Sequence, residues 1–230
     1  MDPQHGTGFV IWLTGMNRAG KSTLAAQVAG RLAAAGRRVE LLDEDGDASV
    51  LLAGLGTSKE DHAKAAARLG FVAKAVLRTG GVAVVAALSP HRDARDQLRR
   101  EARRFVEVFV DCSMEKLQQR DPEGIYKRAL AGELRQVPGV DVPYEPPTHA
   151  DVTVHADRMS VDESAKAVFQ ALVDLKYVGP TEFGRLTGGQ RPRRKARKAR
   201  KARGKGGTRA AARKAPRKIA ARTARSARRR

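Results

Sequence analysis

The chain has 230 residues, 41% of them apolar, enough for one domain with a sizeable aliphatic core and an appendage. Its formal charge of +20 is local, because 20 of the 45 Lys and Arg lie beyond Gln190 with no acid among them, and the remaining 25 balance the 25 acids. A single cysteine, Cys112, excludes an intrachain disulfide and points to a reducing cytoplasmic compartment, while the absence of a leader or an apolar run near ~18 residues argues against secretion and membrane spanning.

From the N-terminus, Val10 to Leu13 reads as a buried strand, followed by Gly15-Met16-Asn17-Arg18-Ala19-Gly20-Lys21-Ser22. These eight residues fit G-x-x-x-x-G-K-S/T, the phosphate-binding P-loop. Its glycines let the backbone wrap an anion, Lys21 adds a point charge between the outer phosphates, and the Ser22 hydroxyl is suited to Mg²⁺. The strand before the loop and the apolar helix pattern after it, to about Gly36, supply the context that the motif needs.

Arg38 to Leu42 forms a second predicted strand, ending in the acidic cluster Asp43-Glu44-Asp45-Gly46-Asp47. Acids at the carboxyl end of a strand matter here, because open α/β sheets bind ligands along that edge. A capped helix is predicted from Ser58 to about Thr79, then a strand over Val82–Leu88, a helix from about Asp93 to Arg104, and a strand over Phe105–Asp111. Residues 114–120 make a short helix, and 121–149, rich in Pro, Gly and charge, reads as a mobile lid. A strand at Val152–Val154 and a helix from about Ser160 to Lys176 complete residues 1–178. The alternation predicts an α/β three-layer sandwich of the P-loop NTPase type with a mainly parallel sheet. Residues 179–190 read as a linker and 191–230 as a disordered Lys/Arg/Ala tail.

Taken together, FVIWLTGMNRAGKST, RRVELLDEDGD, LGTSKED, VAVVAALSPHRDAR, FVEVFVDC, RDPEGIYKRALAGEL and GVDVPYEPP resemble adenylyl-sulfate kinase. That enzyme uses ATP to phosphorylate the 3′-hydroxyl of adenosine 5′-phosphosulfate (APS). The resemblance runs in order from about residue 8 to 175. It implies that Gly15, Met16, Asn17, Arg18, Ala19, Gly20, Lys21, Ser22 and Thr23 bind ATP, with Ser22 and Asp45 supporting Mg²⁺. Asp43-Glu44-Asp45 stands where the family has Asp-Gly-Asp, which makes Asp45 the base on the acceptor hydroxyl; a solvated acidic turn is the alternative. Ser89 matches a family serine regarded as a phosphoserine or substrate contact, although no activating base lies near it in sequence and a hydrogen-bonding loop residue is the physical expectation. Arg92 and the lid cations Arg120, Lys127 and Arg128 would face the substrate, or else remain surface charges.

Departures fall on the acceptor side. Ala48 and His62 replace arginines, Ala65 replaces an asparagine, and Thr57 and Val137 replace aromatics that would sandwich the acceptor's adenine. Each lost stacking contact is worth ~1–3 kcal/mol. Within the P-loop, Arg18-Ala19 stands where Gly-Ser is usual. Three functional expectations follow: APS kinase activity, a kinase for another small hydroxyl acceptor, or a catalytically weak body tethered to nucleic acid. The tail resembles those of linker-histone-like proteins and should bind polyanions without sequence reading, since no aromatic interleaves its charges. A homodimer is also allowed.

Overall fold

The apolar run after Gly8 becomes the central strand β1, Phe9–Thr14, and all six of its side chains are buried. In the computed structural model, which describes residues 7–188, five strands lie in one sheet. Besides β1 they are β2 (Val39–Asp43), β3 (Val82–Ala86), β4 (Phe105–Asp111) and β5 (Val152–His155). Their order is β2-β3-β1-β4-β5, and every neighbouring pair is parallel. All carboxyl ends therefore share one edge, and β1 delivers the P-loop to the middle of it.

Seven helices cover the sheet: α1 (Lys21–Ala34), α2 (Lys59–Arg78), α3 (Arg92–Glu101), α4 (Met114–Gln119), α5 (Ile125–Leu130), α6 (Val161–Asp174) and α7 (Pro180–Leu186). The alternation of β1 explains the two layers. Phe9, Ile11 and Leu13 pack with Leu24, Val28 and Leu32 of α1 and Val168, Phe169 and Leu172 of α6. Val10 and Trp12 face the other way, into Leu69 and Ala73 of α2 and Leu98 of α3. A strand covered on both faces needs such an apolar run. Ser58 caps α2 by accepting the Asp61 N–H at 3.1 Å, and Ser160 with Glu163 forms a reciprocal capping box on α6.

Three departures from the sequence expectation bear on the core and the site. Strand β3 stops at Ala86, although Ala87 to Ser89 stay buried, because Glu44 and Thr14 take up the next backbone groups. A 3-10 turn, Asp47–Leu52, follows the acidic cluster. The expected linker is corrected more sharply, since Pro180–Leu186 is helix α7. It packs on α6 and holds the Glu182 carboxylate against Arg37, with Nε to Oε1 at 2.7 Å and a second nitrogen to Oε2 at 2.8 Å. Both side chains are almost fully buried. Removing one partner leaves a buried charge uncompensated, so Glu182→Ala is expected to cost about 3–5 kcal/mol in a denaturant melt. A loss below ~1 kcal/mol would show that α7 does not belong to the cooperative core.

The basic stretch 191–230 and the last two expected linker residues lie outside the described residues.

Candidate active site

The loop between β1 and α1 is shaped by its glycines. Gly15 has φ +154° and packs so closely on β4 that a Cβ there would lie 2.4 Å from the Val110 carbonyl oxygen. Gly20 has φ +106° and passes directly into α1, whose first N–H groups point at the sheet edge. Lys21, the first residue of α1, is 4% exposed, and its Nζ donates to the Met16 carbonyl at 3.1 Å. Burial holds its pKa below the ordinary lysine value, against the opposing pull of Glu44, Asp45 and Asp43.

The acids divide their roles by geometry. The Ser22 Oγ donates to Asp43 Oδ1 at 3.1 Å, and the Asp45 backbone N–H donates to the same oxygen at 3.2 Å. Asp43 thus fixes the turn that carries Asp45, whose own carboxylate is exposed on the cleft. Glu44 turns the other way and accepts the Leu88 N–H, while its own N–H donates to the Ala86 carbonyl at 3.0 Å. Burial pushes the Glu44 carboxyl up to about 7, with Lys21 acting in the opposite direction. The arrangement offers hard oxygen donors for a divalent ion at Ser22, Asp43 and Asp45. Among the described residues no three His, Cys, Asp or Glu side chains cage a metal by themselves. That donor set fits Mg²⁺, which keeps waters and phosphate oxygens among its ligands.

A cleft of about 440 Å³ opens between the P-loop and the β5–α6 connection, lined by Lys21, Ser22, Asp45, Arg120, Ala156 and Met159 among others. Its volume lies in the range of small-ligand sites. Arg120 spans its back wall, donating to the Ala19 carbonyl at 3.2 Å and the Ala156 carbonyl at 2.7 Å. Two side-chain hydrogen bonds tie the 121–149 segment to the P-loop. Tyr126 Oη donates to the Asn17 carbonyl at 2.7 Å, and Arg18, at φ +64°, pairs with Glu123 at 2.6 Å.

Ser89 sits at φ +34°, 5% exposed, and its Oγ accepts the Trp12 indole N–H at 2.9 Å. Its carbonyl accepts from Arg95 at 2.6 Å, and no base contacts its hydroxyl. This is the geometry of a hydrogen-bonding loop residue. Arg92 donates to the Pro146 carbonyl at 3.1 Å, beside the same loop. Lys127 and Arg128 are exposed and are not among the residues that line the cleft; Arg128 faces Glu133 at 3.8 Å. On the acceptor side Ala48 is buried in the 3-10 turn, Val137 is buried in the core, and Thr57 Oγ1 donates to Gln136 at 2.5 Å. The sequence gives no hint of Ala156 or Met159 as cleft residues, because no motif marks the β5–α6 loop. Asp43 lay in view within the acidic cluster, but its bond to Ser22 depends on the β2 register.

The family model for Adenylylsulphate kinase matches residues 7–155. The chain is 40% identical over 173 residues to an adenylyl-sulfate kinase of Picosynechococcus, covering 75% of this chain and 98% of that protein. It is 44% identical over 172 residues to a probable bifunctional SAT/APS kinase of Sorangium cellulosum, where it spans 75% of its own length but only 30% of the relative. Among solved structures, the Mycobacterium tuberculosis APS kinase in complex with AMPPNP and APS is similar at TM-score 0.66 and 35% identity. That likeness covers 73% of this chain and 98% of that one.

Proposed function

The chain belongs to the adenylylsulphate kinase family of ATP-dependent phosphotransferases, and from that membership we propose that it phosphorylates the 3′-hydroxyl of APS. The products are ADP and 3′-phosphoadenosine 5′-phosphosulfate, the activated form of sulfate. The observation that carries this reading is the convergence of Lys21, Ser22 and Asp45 on one cleft at the helix α1 N-terminus, with Asp43 bonded to Ser22 and to the Asp45 backbone. The M. tuberculosis relative, crystallised with an ATP analogue and APS, supports the pairing of substrates.

In this reading the P-loop N–H groups and Lys21 bind the β- and γ-phosphates of ATP. Asp45 faces the cleft, orients the acceptor hydroxyl and takes its proton as the new oxygen–phosphorus bond forms and the bond to the β-phosphate oxygen breaks. Asp43 holds Ser22 and the Asp45 turn in place. Arg120 supplies positive charge at the back of the cleft. Mg²⁺, held by Ser22 and Asp45, would neutralise charge on the triphosphate when bound. Ser89 holds the loop after β3 through its bonds to Trp12 and Arg95. Lys127 and Arg128 would reach substrate only if the 121–149 segment moved. Phosphorus NMR of the reaction with APS tests the assignment, because a 3′-phosphomonoester resonance should grow in step with ADP. Its absence with APS, together with its growth on another hydroxyl compound, would move the chain to a different acceptor. Ala48, Thr57, Ala65 and Val137 are the observation that favours that second reading.

We further propose that 191–230 binds nucleic acid or another polyanion without sequence preference. Its 20 Lys and Arg and lack of any acid support this. Binding of the full chain to duplex DNA should weaken with salt with a log–log slope of about −0.9 per phosphate engaged. A salt-independent interaction, or one that survives deletion of 191–230, would contradict it. The single cysteine supports a cytoplasmic setting, and among the described residues no helix is long and apolar enough to cross a membrane.

A further inference from the structure

Arg18 stands in the P-loop at φ +64°, a left-handed backbone that glycine adopts most readily and that a long side chain resists. The phosphate-binding motif uses this position through its backbone N–H and asks nothing of the side chain. An arginine held there against its backbone preference therefore directs attention to what its guanidinium does.

Arg18 lines the 440 Å³ cleft together with the cations Lys21 and Arg120. Lys21 donates to the Met16 carbonyl and Arg120 to the carbonyls of Ala19 and Ala156, whereas Arg18 is paired with a carboxylate. That carboxylate is Glu123, which comes from the loop before α5 and accepts from the guanidinium at 2.6 Å. Both side chains are open to water, at 37% exposure for Arg18 and 65% for Glu123. Exposed pairs of this kind contribute little, so a stronger partner can displace one member.

The outer phosphates of ATP are such a partner. Several oxygens on one phosphorus accept a planar guanidinium through two parallel bonds and carry more charge than one carboxylate. Glu123, once released, is solvated at little cost because it is already exposed. Left in place, it sets a negative charge beside an entering polyanion. The neighbouring bond from the Tyr126 hydroxyl to the Asn17 carbonyl, at 2.7 Å, has no charge to exchange and keeps the start of α5 beside the P-loop while the ion pair opens.

We propose that Arg18 is a further phosphate-binding residue, held by Glu123 in the nucleotide-free protein and transferred to the outer phosphates of bound ATP. The exchange rests on the kinase reading of the cleft and is independent of APS as the acceptor. It makes Glu123 a stand-in for phosphate, so the two members of the pair act on nucleotide affinity in opposite senses.

Calorimetric titration of the full chain with the ATP analogue AMPPNP and Mg²⁺ tests the exchange by its sign. Glu123→Gln should tighten binding by about fivefold, because Arg18 is no longer held. Arg18→Gly, which suits the left-handed backbone, should weaken it by about tenfold or more, and Arg18→Lys, which keeps the charge but loses the fork, should fall between the two. Both differences should shrink as salt rises. Similar weakening in Glu123→Gln and Arg18→Gly would make the pair a structural clasp, and affinities within about twofold of wild type in both would show that Arg18 does not reach the phosphates. Either result overturns the proposal. Kinetics with APS separates the exchange from the choice of acceptor. Opposite shifts in AMPPNP affinity without any APS turnover would keep the exchange and remove the acceptor assignment, whereas intact APS turnover with neither affinity changed would refute the exchange and leave the kinase reading in place.

Discussion

Lys21→Ala is expected to lower kcat/KM for ATP by about three orders of magnitude, the scale on which a preorganised cation acts on a transferring phosphoryl group. The physical case is local. Lys21 is buried, donates only to the Met16 carbonyl, and faces Asp43, Glu44 and Asp45. Without its charge, three carboxylates confront a polyanionic substrate with only Arg18 and Arg120 left as cations on the cleft lining. Both ground-state binding and the chemical step should suffer, so KM for ATP should rise while kcat falls. The fold should survive, because α1 is held by Leu24, Val28 and Leu32 in the core. A variant that melts normally yet keeps more than a tenth of wild-type turnover would show that the P-loop lysine is not the principal cation.

Asp45→Asn should reduce kcat by about 10²–10³, the contribution of a positioned general base, with a smaller change in KM for ATP. Asp43→Asn makes the instructive contrast. Asp43 accepts both the Ser22 hydroxyl and the Asp45 N–H, so its loss should loosen the turn and raise the Mg²⁺ concentration needed for half-maximal rate. If Asp43→Asn removes turnover while Asp45→Asn leaves it, the two roles are exchanged. The proposed binding of 191–230 to DNA should be the same in both variants.

The fold was legible where local pattern and global architecture agree. The apolar runs at Val10–Leu13, Val82–Ala86 and Phe105–Val110 are strands because both sheet faces are covered, and that same cover makes them continuous rather than alternating. The P-loop was legible for a similar reason, since its glycines and Lys21 answer to one short-range geometry. Helix α7 was not. Its Pro180 is a start signal, but what keeps it in place is the Glu182 pairing with Arg37, 145 residues away in sequence. The acidic cluster was visible as a cluster only. The division of Asp43 to Ser22, Glu44 to Leu88 and Asp45 to the cleft follows from the end of β2 beside β3, which sequence spacing cannot resolve. His62 was in view as a departure from a family arginine and His91 within the stretch VAVVAALSPHRDAR, but the approach of their rings to 6.1 Å depends on how α2 packs beside the start of α3.

The central claim is tested most directly by ADP release from the full chain with ATP and Mg²⁺, measured with APS, without any acceptor, and with APS and the Lys21→Ala variant. Saturable release that needs APS and disappears with Lys21→Ala is the predicted result. ADP release that is indifferent to APS, or none at all while an ATP analogue still binds, would contradict it.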